Sequence, residues 1–479
     1  MPKTFLSIAE PTVERALDAV ANAPRSVDGI EIRFDRLPAA GKAALGAFRE
    51  RTDRMLLFTR RSSESVKRAT EGELIAALEA GFELVDVEFS ESFPEALQPH
   101  LSRIVLSHHD FITMPEVGGT LARMRTLGCG HVKLAVTPGS FEENLDLLRM
   151  IHGIAETNVT LVGMGHAGIY SRMLAPMFGS ELLFVARDAG SRTAPGQLTI
   201  AEAAILRRSS SRPPGAIFAL VGNPATHSIS PSIHNPRFVE EKIDAVYVIA
   251  ETSDFGEVAE AVAAGVRYAP AGIGVTAPFK EEAFRFVLAR GGELTLRARS
   301  AGAVNTMVRR GDGTLAGDNT DIEGFHAAIE MLGIEPKEAA AVIGSGGTAR
   351  AALYALQNAG VRCTIYNRTY ERALALGSAF GVSAARLDAI ETFEGRLLVN
   401  TAGSGIELPP GVLRSGRMLI NVGYTADQAA IDETARRAGM TVFGGIEFLE
   451  AQAPAQFGLF RECAESHLAN RRSHRSARN

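Results

Sequence analysis

The sequence predicts an α/β protein in two parts: a (β/α)8 barrel of the TIM type, then an open α/β unit of two lobes. In residues 1–205, eight short apolar runs alternate with helix-like segments. A stretch rich in serine, arginine and proline at 206–215 breaks this pattern, as an exposed connector would. Farther on, at 340–350, an apolar strand runs into a glycine-rich turn and a helix, which is typical of a Rossmann-type lobe.

Length and composition narrow the classes of function. A chain of 479 residues is too long for one compact core. Its net charge of −5 argues against nucleic acid or an anionic membrane as the main partner. Three scattered cysteines without a His/Cys cluster give no metal signature and fit a reducing compartment. We find no signal pattern and no membrane-spanning apolar run, so we expect a cytoplasmic location, and we expect the basic segment 470–479 to be a frayed tail.

The eight strands of the first half are read directly from the apolar runs. They are predicted near 3–9, 28–34, 55–59, 83–89, 103–108, 131–136, 158–163 and 181–186. A doubly wound open sheet is the alternative to a barrel, because the strand count alone does not show closure.

Strand parity predicts a charged barrel lumen. Glu31, Arg33 and Asp35 share one face of the second strand, opposite three apolar residues. Asp86 and Glu88 share one face of the fourth strand in the same way. In a barrel the apolar face packs on the helices, so the charged side chains are expected to point inward.

The sixth strand adds a lysine to this set. Lys133 shares a face with His131 and Ala135. A purely structural salt-bridge core is one interpretation, but burial costs several kcal/mol for each unpaired ion, so a catalytic lumen is favoured. A desolvated lysine near an arginine loses its proton more readily, and the free amine can attack a carbonyl to form an imine. His109 ends the fifth strand, at the rim where barrel active sites lie, and is a candidate base.

These motifs resemble type I 3-dehydroquinate dehydratase across essentially all of residues 1–205. The motifs that carry the resemblance occur in the family's order at 31–35, 59–61, 108–111, 131–136, 168–172 and 194–197. The resemblance implies a (β/α)8 barrel that dehydrates 3-dehydroquinate to 3-dehydroshikimate, with Lys133 forming the imine and His109 acting as general acid and base. It also implies a set of residues that bind the hydroxyls and carboxylate of the substrate: Glu31, Arg33, Arg61, Arg172, Thr193 and Gln197. Arg61 and Arg172 are the chemically sensible partners for the carboxylate.

Two positions depart from the family pattern. Thr193 stands where the family usually has serine, which keeps a hydroxyl group. Four residues after Arg61 the family typically has glutamate, whereas this chain has Ser65, with Glu64 one place earlier. The group that orients His109 therefore stays open.

The second half carries several polar motifs at strand ends. Ser228 and Ser230 could bind an anionic substrate, although a helix N-cap would explain the same serines. Thr276 and Lys280 follow another strand, and the stretches 303–306 and 317–324 add amide and carboxylate groups. Each motif alone is ordinary turn chemistry.

The glycine-rich turn is more specific. Its glycines let backbone amides approach a pyrophosphate at a helix N-terminus. Arg368, after the following strand, suits a 2′-phosphate, where an acidic residue would suit the ribose hydroxyl, so NADP is favoured over NAD. The predicted cofactor-binding residues are Gly344, Ser345, Gly346, Gly347, Thr348, Ala349, Asn367, Arg368 and Thr369.

Together, the motifs from about 217 to 465 resemble shikimate dehydrogenase. The resemblance implies that Ser228 and Ser230 bind the substrate carboxylate and that Lys280 and Asp321 are the catalytic pair. It further implies substrate contacts from Thr276, Asn305, Tyr424 and Gln452. Two departures are Gly274, where the family has asparagine before Val-Thr, and a reordered Asn-Ala-Thr motif at 400–405.

The sequence thus predicts a bifunctional enzyme that makes 3-dehydroshikimate and then reduces it to shikimate with NADPH. The predicted domains are a dehydratase (1–207), a linker (208–215) and a dehydrogenase (216–479). The dehydrogenase divides into a substrate lobe (216–320, with a C-terminal helix at about 447–466) and an NADP-binding lobe (321–446). A catabolic quinate/shikimate dehydrogenase and a metabolite-sensing relative are the alternatives. The expected partners are small-molecule substrates and a second copy of the chain.

Overall fold

The computed structural model describes residues 2–37, 42–61, 68–90, 93–114, 116–154, 158–206, 212–403 and 405–476. The chain divides into two compact units. The first comprises Met1–Pro214 with Val248–Glu251, and the second comprises Gly215–Tyr247 with Thr252–Asn479. Residues 208–211 of the predicted linker lie outside the described residues.

The first unit contains all eight predicted strands, each within one residue of its predicted bounds. The strands are β1 (Lys3–Ile8), β2 (Gly29–Arg33), β3 (Met55–Thr59), β4 (Leu84–Glu88), β5 (Ile104–His109), β6 (His131–Val136), β7 (Val159–Gly163), β8 (Leu182–Ala186) and the short β9 (Leu198–Thr199). They pair in the order β7-β6-β5-β4-β3-β2-β1-β8-β9, which is the cyclic strand order of a (β/α)8 barrel.

One backbone and two side-chain hydrogen bonds join β7 to the residues around the start of β8, which brings the two ends of this order together. The amide of Glu181 donates to the carbonyl of Val159 at 3.0 Å. The amide of Leu182 donates to the hydroxyl of Thr160 at 2.9 Å, and the amide of Leu161 donates to that of Ser180 at 3.2 Å. The barrel prediction is therefore confirmed over the doubly wound alternative.

Helices separate the barrel strands. They are α1 (Val13–Ala21), α2 (Lys42–Glu50), α3 (Glu71–Glu79), α4 (Val117–Arg125), α5 (Phe141–Gly153), α6 (Ile169–Phe178) and α7 (Ile200–Ile205). A 3-10 helix, Glu95–Arg103, takes the place of an α-helix between β4 and β5. Local sequence fixes several helix starts: Thr70 and Glu73 form a reciprocal capping box on α3, and the Ser140 side chain caps α5.

An apolar cluster fills the barrel beneath the charged residues. It consists of Phe5, Leu57, Val105, Leu182 and Phe184, contributed by four strands. Burial of these side chains excludes water from the lower lumen. Charged groups above the cluster are therefore desolvated from below.

Two six-stranded sheets follow in the chain, and all of their residues belong to the second unit except Val248–Glu251, which group with the first. The first sheet has the order β11-β10-β12-β14-β15-β13, with β14 antiparallel to both of its neighbours. Its strands are β10 (Ala216–Gly222), β11 (Ala245–Glu251), β12 (Gly272–Val275), β13 (Glu293–Leu294), β14 (Thr306–Arg309) and β15 (Leu315–Asp318). The second sheet is parallel with the order β18-β17-β16-β19-β20-β21, the doubly wound order of a Rossmann-type lobe. Its strands are β16 (Ala339–Ile343), β17 (Arg362–Asn367), β18 (Ser383–Arg386), β19 (Leu397–Asn400), β20 (Met418–Asn421) and β21 (Thr441–Phe443).

The helices of this unit connect its strands. They are α8 (Ser230–Glu240), α9 (Phe255–Ala264), α10 (Lys280–Ala289), α11 (Leu296–Ala301), α12 (Asp321–Leu332), α13 (Gly347–Asn358), α14 (Tyr370–Phe380), α15 (Ala426–Arg437) and α16 (Gly445–Ser476).

The last helix is longer than predicted and returns to the first sheet. Because α16 continues to Ser476, the expected frayed tail is wrong as far as that residue. The Phe460 ring lies 4.7 Å from that of Phe218, and Gln456 Nε2 donates to Thr306 Oγ1 at 2.8 Å. The apolar face of α16 is thus buried against β10 and β14. Within the described residues, no helix combines the length and hydropathy needed to cross a membrane.

Candidate active sites

All eight residues that the sequence assigns to dehydration line one pocket of the barrel. They are Glu31, Arg33, Arg61, His109, Lys133, Arg172, Thr193 and Gln197. These residues lie on strands and loops that are far apart in sequence. They meet in one pocket because the C-terminal ends of all strands of a parallel barrel lie at the same face.

Lys133 is a deeply buried cation of this pocket. Its Nζ lies 3.9 Å from the centre of the Phe184 ring. Among the described residues, no hydrogen bond or ion pair reaches its ammonium group. Burial lowers the pKa of Lys133 to about 8, and the charge of Arg61 acts in the same direction against the carboxylate of Glu31. About a tenth of the amine is therefore neutral at pH 7.

Arg61 is held by acidic neighbours. Its Nη1 and Nη2 donate to the two oxygens of Asp86 at 2.9 and 2.7 Å. Nη1 also lies 3.0 Å from Glu88 Oε2 and 2.9 Å from Ser107 Oγ. Two carboxylates thus offset its charge, which makes it a weaker partner for a substrate carboxylate than the sequence indicates.

Among the described residues, Arg172 on α6 has no such acidic partner. Its hydrogen bond within the described chain is from Nη1 to the carbonyl of Pro195 at 3.2 Å. Burial and the nearby charge of Arg192 lower the pKa of Arg172 to about 10. A buried cation without a counter-ion attracts an anionic ligand, so Arg172 is the better carboxylate partner of the two.

His109 stands beside Glu88. Its Nδ1 lies 3.0 Å from Glu88 Oε2. Burial lowers the pKa of His109 to about 4, and the Arg61 charge adds to this effect while the hydrogen bond with Glu88 opposes it. The imidazole is therefore neutral near pH 7 and able to accept a proton. Glu64 and Ser65, the positions considered for orienting His109, lie outside the described residues.

Ser7 was not singled out from the sequence, yet it links two predicted binding residues. Its hydroxyl donates to Glu31 Oε2 at 2.6 Å and accepts from Gln197 Nε2 at 3.2 Å. Gln197 Oε1 accepts from both the amide and the hydroxyl of Thr193, at 2.7 and 3.0 Å. The sequence feature that could have indicated this role is a hydroxyl side chain next to apolar residues in β1.

In the second unit, Lys280 and Asp321 form a close pair. Lys280 Nζ lies 2.5 Å from Asp321 Oδ2 and 2.9 Å from Thr348 Oγ1. Each catalytic candidate is the first residue of its helix, α10 or α12. Asn305 Nδ2 donates to Asp321 Oδ1 at 2.8 Å, which fixes the carboxylate from its other side. A lysine held in this way can deliver a proton to a substrate oxygen.

Gln452 joins this group from α16. Its Oε1 accepts from Thr320 Oγ1 at 2.7 Å and from Asn305 Nδ2 at 3.2 Å. Thr276, directly after β12, packs its methyl group against Gly222, where a Cβ atom would lie 2.2 Å from it.

A second polar group lies at the start of α8. The Tyr424 hydroxyl donates to Ser228 Oγ at 3.1 Å, and Ser228 Oγ donates to Ser230 Oγ at 3.0 Å. The N-terminus of a helix favours an anion, so this position suits a carboxylate.

The two departures from the shikimate dehydrogenase pattern, at Gly274 and in the segment 400–405, are accommodated by neighbouring side chains. A Cβ atom at Gly274 would lie 2.4 Å from the Tyr247 hydroxyl, so Tyr247 occupies the space of the missing side chain. In the reordered segment, Asn400 Nδ2 donates to Asn421 Oδ1 and Gln428 Oε1, both at 2.9 Å.

The glycine-rich turn has the shape that a dinucleotide requires. Gly344 has φ of 109°, and a Cβ atom there would lie 2.6 Å from Thr401 Oγ1. A Cβ atom at Gly347 would lie 2.5 Å from Lys280 Cβ. Ser345 and Gly346 complete the turn, and Ala349 is fully buried in the core of the second sheet.

Arg368 lies exposed beside this turn. One cleft is lined by Gly344, Tyr366, Asn367, Arg368 and Ala402, among others. Asn367 Nδ2 donates to the carbonyl of Thr369, which precedes α14. An exposed guanidinium at this position fits a phosphate, so the residues present fit NADP. Within the described chain, no group of three or more His, Cys, Asp or Glu side chains could hold a metal ion.

Comparison with known proteins matches both units to enzyme families. Residues 4–211 match the model of type I 3-dehydroquinase, and residues 220–307 match the substrate-binding domain of shikimate dehydrogenase. The chain is 30% identical over 422 residues to the chloroplastic bifunctional 3-dehydroquinate dehydratase/shikimate dehydrogenase of Arabidopsis thaliana, covering 80% of this chain and 68% of that protein.

The chain belongs to the family of bifunctional 3-dehydroquinate dehydratase/shikimate dehydrogenases. It is therefore both a lyase and an oxidoreductase of the shikimate pathway, as the motifs predicted.

Two further relatives match the second unit alone. The shikimate dehydrogenase (NADP(+)) of Hyphomonas neptunium is 35% identical over 270 residues, covering 53% of this chain and 97% of that protein. A crystal structure of the Thermus thermophilus shikimate 5-dehydrogenase with NADP(H) and shikimate is 31% identical, covers 53% of this chain and 98% of that chain, and has a TM-score of 0.45. The chain also spans 24% to 31% of three pentafunctional AROM polypeptides.

The contact between Gly347 and Lys280 yields a prediction for this bifunctional enzyme. The substitution Gly347→Ala should displace Lys280, because the added methyl group would meet a Cβ atom that cannot swing aside. A displacement of about 1 Å costs roughly 100-fold in rate, so the shikimate dehydrogenase kcat should fall by about that factor. Steady-state assays of both activities of the same chain provide the measurement.

Gly458→Ala is the matched control, since no atom lies within 4 Å of its added methyl group. That control should leave both activities unchanged. Full dehydrogenase activity in Gly347→Ala would show that Lys280 does not need its present position.

Proposed function

We propose that the first unit dehydrates 3-dehydroquinate through an imine on Lys133. The neutral amine attacks the substrate ketone, and water leaves as the imine forms. His109 then removes a proton from the carbon next to the imine and returns a proton to the departing hydroxyl group. Hydrolysis of the imine releases 3-dehydroshikimate and restores the amine. The observation that carries this proposal is the burial of Lys133 against Phe184, because it lowers the pKa of the amine to about 8.

The other pocket residues bind and orient the substrate. Arg172 pairs with the carboxylate, since its charge is not offset by an acid among the described residues. Glu31, Thr193 and Gln197 lie in one hydrogen-bonded chain through Ser7 and are placed to bind ring hydroxyls. Arg33 Nη2 lies 2.8 Å from Asp35 Oδ2, so the carboxylate offsets the charge of the guanidinium. Arg33 therefore acts as a hydrogen-bond donor to the substrate.

The imine predicts a covalent adduct. Borohydride added together with 3-dehydroquinate should reduce the imine and add the mass of the substrate to the peptide that contains Lys133. In Lys133→Ala the adduct should disappear and dehydration should fall by about 10³-fold or more. Peptide mass spectrometry and a dehydration assay measure the two effects.

The second activity is the internal control for that variant. Shikimate dehydrogenase activity of Lys133→Ala should equal that of the parent chain. An adduct on another lysine, or an unmodified Lys133 in a chain that dehydrates normally, would contradict the imine mechanism.

We propose that the second unit reduces 3-dehydroshikimate to shikimate with Lys280 and Asp321 as its catalytic pair. Lys280 donates a proton to the ketone oxygen, and Asp321 holds Lys280 in place and stabilises its charge. NADPH would supply the hydride when bound. Ser228, Ser230 and Tyr424 bind the carboxylate at the start of α8, while Thr276, Asn305 and Gln452 bind ring hydroxyls.

The preference for NADPH rests on Arg368 and the turn beside it. Ser345, Thr348 and the turn glycines would hold the pyrophosphate, and Asn367, Arg368 and Thr369 would bind the adenosine ribose with its 2′-phosphate. Arg368→Ala should raise the KM for NADPH about 10- to 100-fold, because a charge-assisted hydrogen bond to phosphate contributes about 1.5–3 kcal/mol. The KM for NADH should change by less than about twofold, since NADH has no 2′-phosphate.

Arg396→Ala is a suitable control for lost surface charge. Arg396 is exposed and pairs with Glu338 at 3.4 Å, away from the glycine-rich turn. Initial rates with both cofactors decide the matter: an equal rise in KM for NADPH and NADH in Arg368→Ala would rule out a role in reading the phosphate.

We propose the same domain assignment as the sequence analysis, with the dehydratase at 1–207, the linker at 208–215 and the dehydrogenase at 216–479. Within the latter, residues 216–320 and α16 form the substrate lobe, and 321–446 form the NADP-binding lobe. The two sheets of the second unit and the return of α16 to the first sheet support this division. A cytoplasmic location and a homodimer stay predictions.

A further inference from the structure

We propose that Thr348 is a positioning residue for Lys280: its hydroxyl accepts one hydrogen bond of the ammonium group, so that the remaining N–H is directed at the ketone oxygen of the substrate. This inference rests on the proposed role of Lys280 as the proton donor of the reduction. It gives the Thr348 side chain a function in catalysis, separate from the binding of the pyrophosphate by the backbone of the glycine-rich turn.

Two helix starts meet at this contact. Lys280 is the first residue of α10, and Thr348 is the second residue of α13, directly after Gly347. The absence of a side chain at Gly347 permits the approach, since a Cβ atom there would lie 2.5 Å from Lys280 Cβ. Arg350 Nε lies 3.2 Å from Glu281 Oε2, which adds an ion pair between the same two helices. Thr348 therefore faces Lys280 because the starts of α10 and α13 are packed together.

The backbone of Lys280 is fixed as well. Its carbonyl accepts from the amide of Val304 at 2.8 Å. The side chain itself is only 12% exposed. The direction of the ammonium group is therefore decided by the hydrogen bonds that it makes.

The hydrogen bonds of Nζ leave one proton for a ligand. An ammonium group has three N–H donors. One donates to Asp321 Oδ2 at 2.5 Å and a second donates to Thr348 Oγ1 at 2.9 Å. Among the described residues, no third acceptor contacts Nζ. The third N–H is thus available for the substrate oxygen.

The hydrogen bond to Asp321 cannot fix this direction without Thr348. Asp321 is well anchored, because its Oδ1 accepts from Asn305 Nδ2 at 2.8 Å. A single hydrogen bond nevertheless lets an ammonium group rotate about the line that joins donor and acceptor. A second hydrogen bond in another direction stops this rotation and fixes the third N–H.

A neutral acceptor suits this position. Asp321 already supplies a negative charge beside Lys280, and a second carboxylate would hold the proton back from the substrate. The Thr348 hydroxyl directs the ammonium group without adding such a charge.

The cofactor does not depend on the Thr348 hydroxyl. A helix N-terminus binds phosphate through its backbone N–H groups. No side chain caps α13, whose N-cap residue is Gly346, so these groups are not taken by a cap. Loss of the hydroxyl should therefore affect the reaction step and spare the binding of NADPH.

The decisive variant is Thr348→Val, which keeps the shape of the side chain and removes the hydroxyl. We expect the kcat for reduction of 3-dehydroshikimate to fall about 10- to 100-fold, because Lys280 loses a hydrogen bond of its charged group and its alignment. The KM values for 3-dehydroshikimate and NADPH should stay within about threefold of the parent, since neither ligand loses a contact. Steady-state kinetics measure these constants.

Thr348→Ser restores the hydroxyl without the methyl group. Its kcat should stay within about threefold of the parent, because the acceptor for Lys280 is kept. A kcat as low as that of Thr348→Val would overturn the proposal, since packing of the methyl group would then explain the loss.

The solvent deuterium isotope effect separates positioning from a structural defect. A misaligned Lys280 slows proton transfer relative to the other steps, so the isotope effect on kcat should be larger in Thr348→Val than in the parent. A smaller fraction of folded enzyme would lower kcat and leave the isotope effect unchanged. An unchanged isotope effect would therefore contradict the proposal.

Thr434→Val is the matched control. The Thr434 hydroxyl donates to the carbonyl of Ala430 at 2.7 Å on the exposed side of α15, so this variant also loses one hydrogen bond of a helical threonine. Both activities of Thr434→Val should equal those of the parent chain. Dehydration of 3-dehydroquinate by Thr348→Val should also be unchanged.

Two further results would overturn the proposal. One is a reduction kcat in Thr348→Val within about twofold of the parent. The other is a rise in the KM for NADPH with an unchanged kcat, which would assign the hydroxyl to the cofactor.

Lys280→Met separates this inference from the proposed function. If Lys280→Met abolishes reduction while Thr348→Val does not impair it, the role of Thr348 is refuted and that of Lys280 stands. If Lys280→Met reduces 3-dehydroshikimate normally, the proposed role of Lys280 fails and the inference about Thr348 falls with it.

Discussion

The arrangement of the barrel site depends on the desolvation of Lys133. An apolar cluster excludes water from the lower lumen; it consists of Phe5, Leu57, Val105, Leu182 and Phe184. Alternation along the strands directs the charged side chains into the lumen above this cluster. Buried ions are tolerated only when neighbouring groups compensate them. Arg61, Asp86 and Glu88 form such a compensated set. Lys133 and Arg172 lie outside this set, and they are the cations for which we propose reaction with the substrate and binding of its carboxylate.

We propose the opposite role for Lys280 in the second unit. Lys280 Nζ is held by Asp321 at 2.5 Å and by Thr348 at 2.9 Å, which fixes its position for the proton donation that we propose. Lys133 makes no ion pair among the described residues, and burial lowers its pKa to about 8, which favours the neutral amine. In the proposed mechanism one chain thus supplies a nucleophilic lysine and a proton-donating lysine, and the two lysines differ in their immediate neighbours.

Much of the fold and most of the site could be predicted from the sequence. Periodicity located all eight barrel strands, because alternation of apolar and charged residues reflects which face meets water or the lumen. Ordered motifs located the dehydration residues that line the pocket. The role of Arg61 could not be read in this way, since nothing in the sequence shows that Asp86 and Glu88 reach its guanidinium. Ser7 and Tyr247 were missed for the same reason: their partners lie one or two strands away, and only tertiary packing joins them.

The central claim is that the folded barrel lowers the pKa of Lys133 enough to supply a neutral amine. The chain has only seven lysines, so ¹³Cε-lysine labelling gives few resonances, and Lys133→Met assigns the relevant one. An NMR titration of the chain without substrate should give Lys133 a pKa of about 8. A pKa near the ordinary lysine value of about 10.4 would contradict the account, because the amine would then be almost fully protonated at neutral pH.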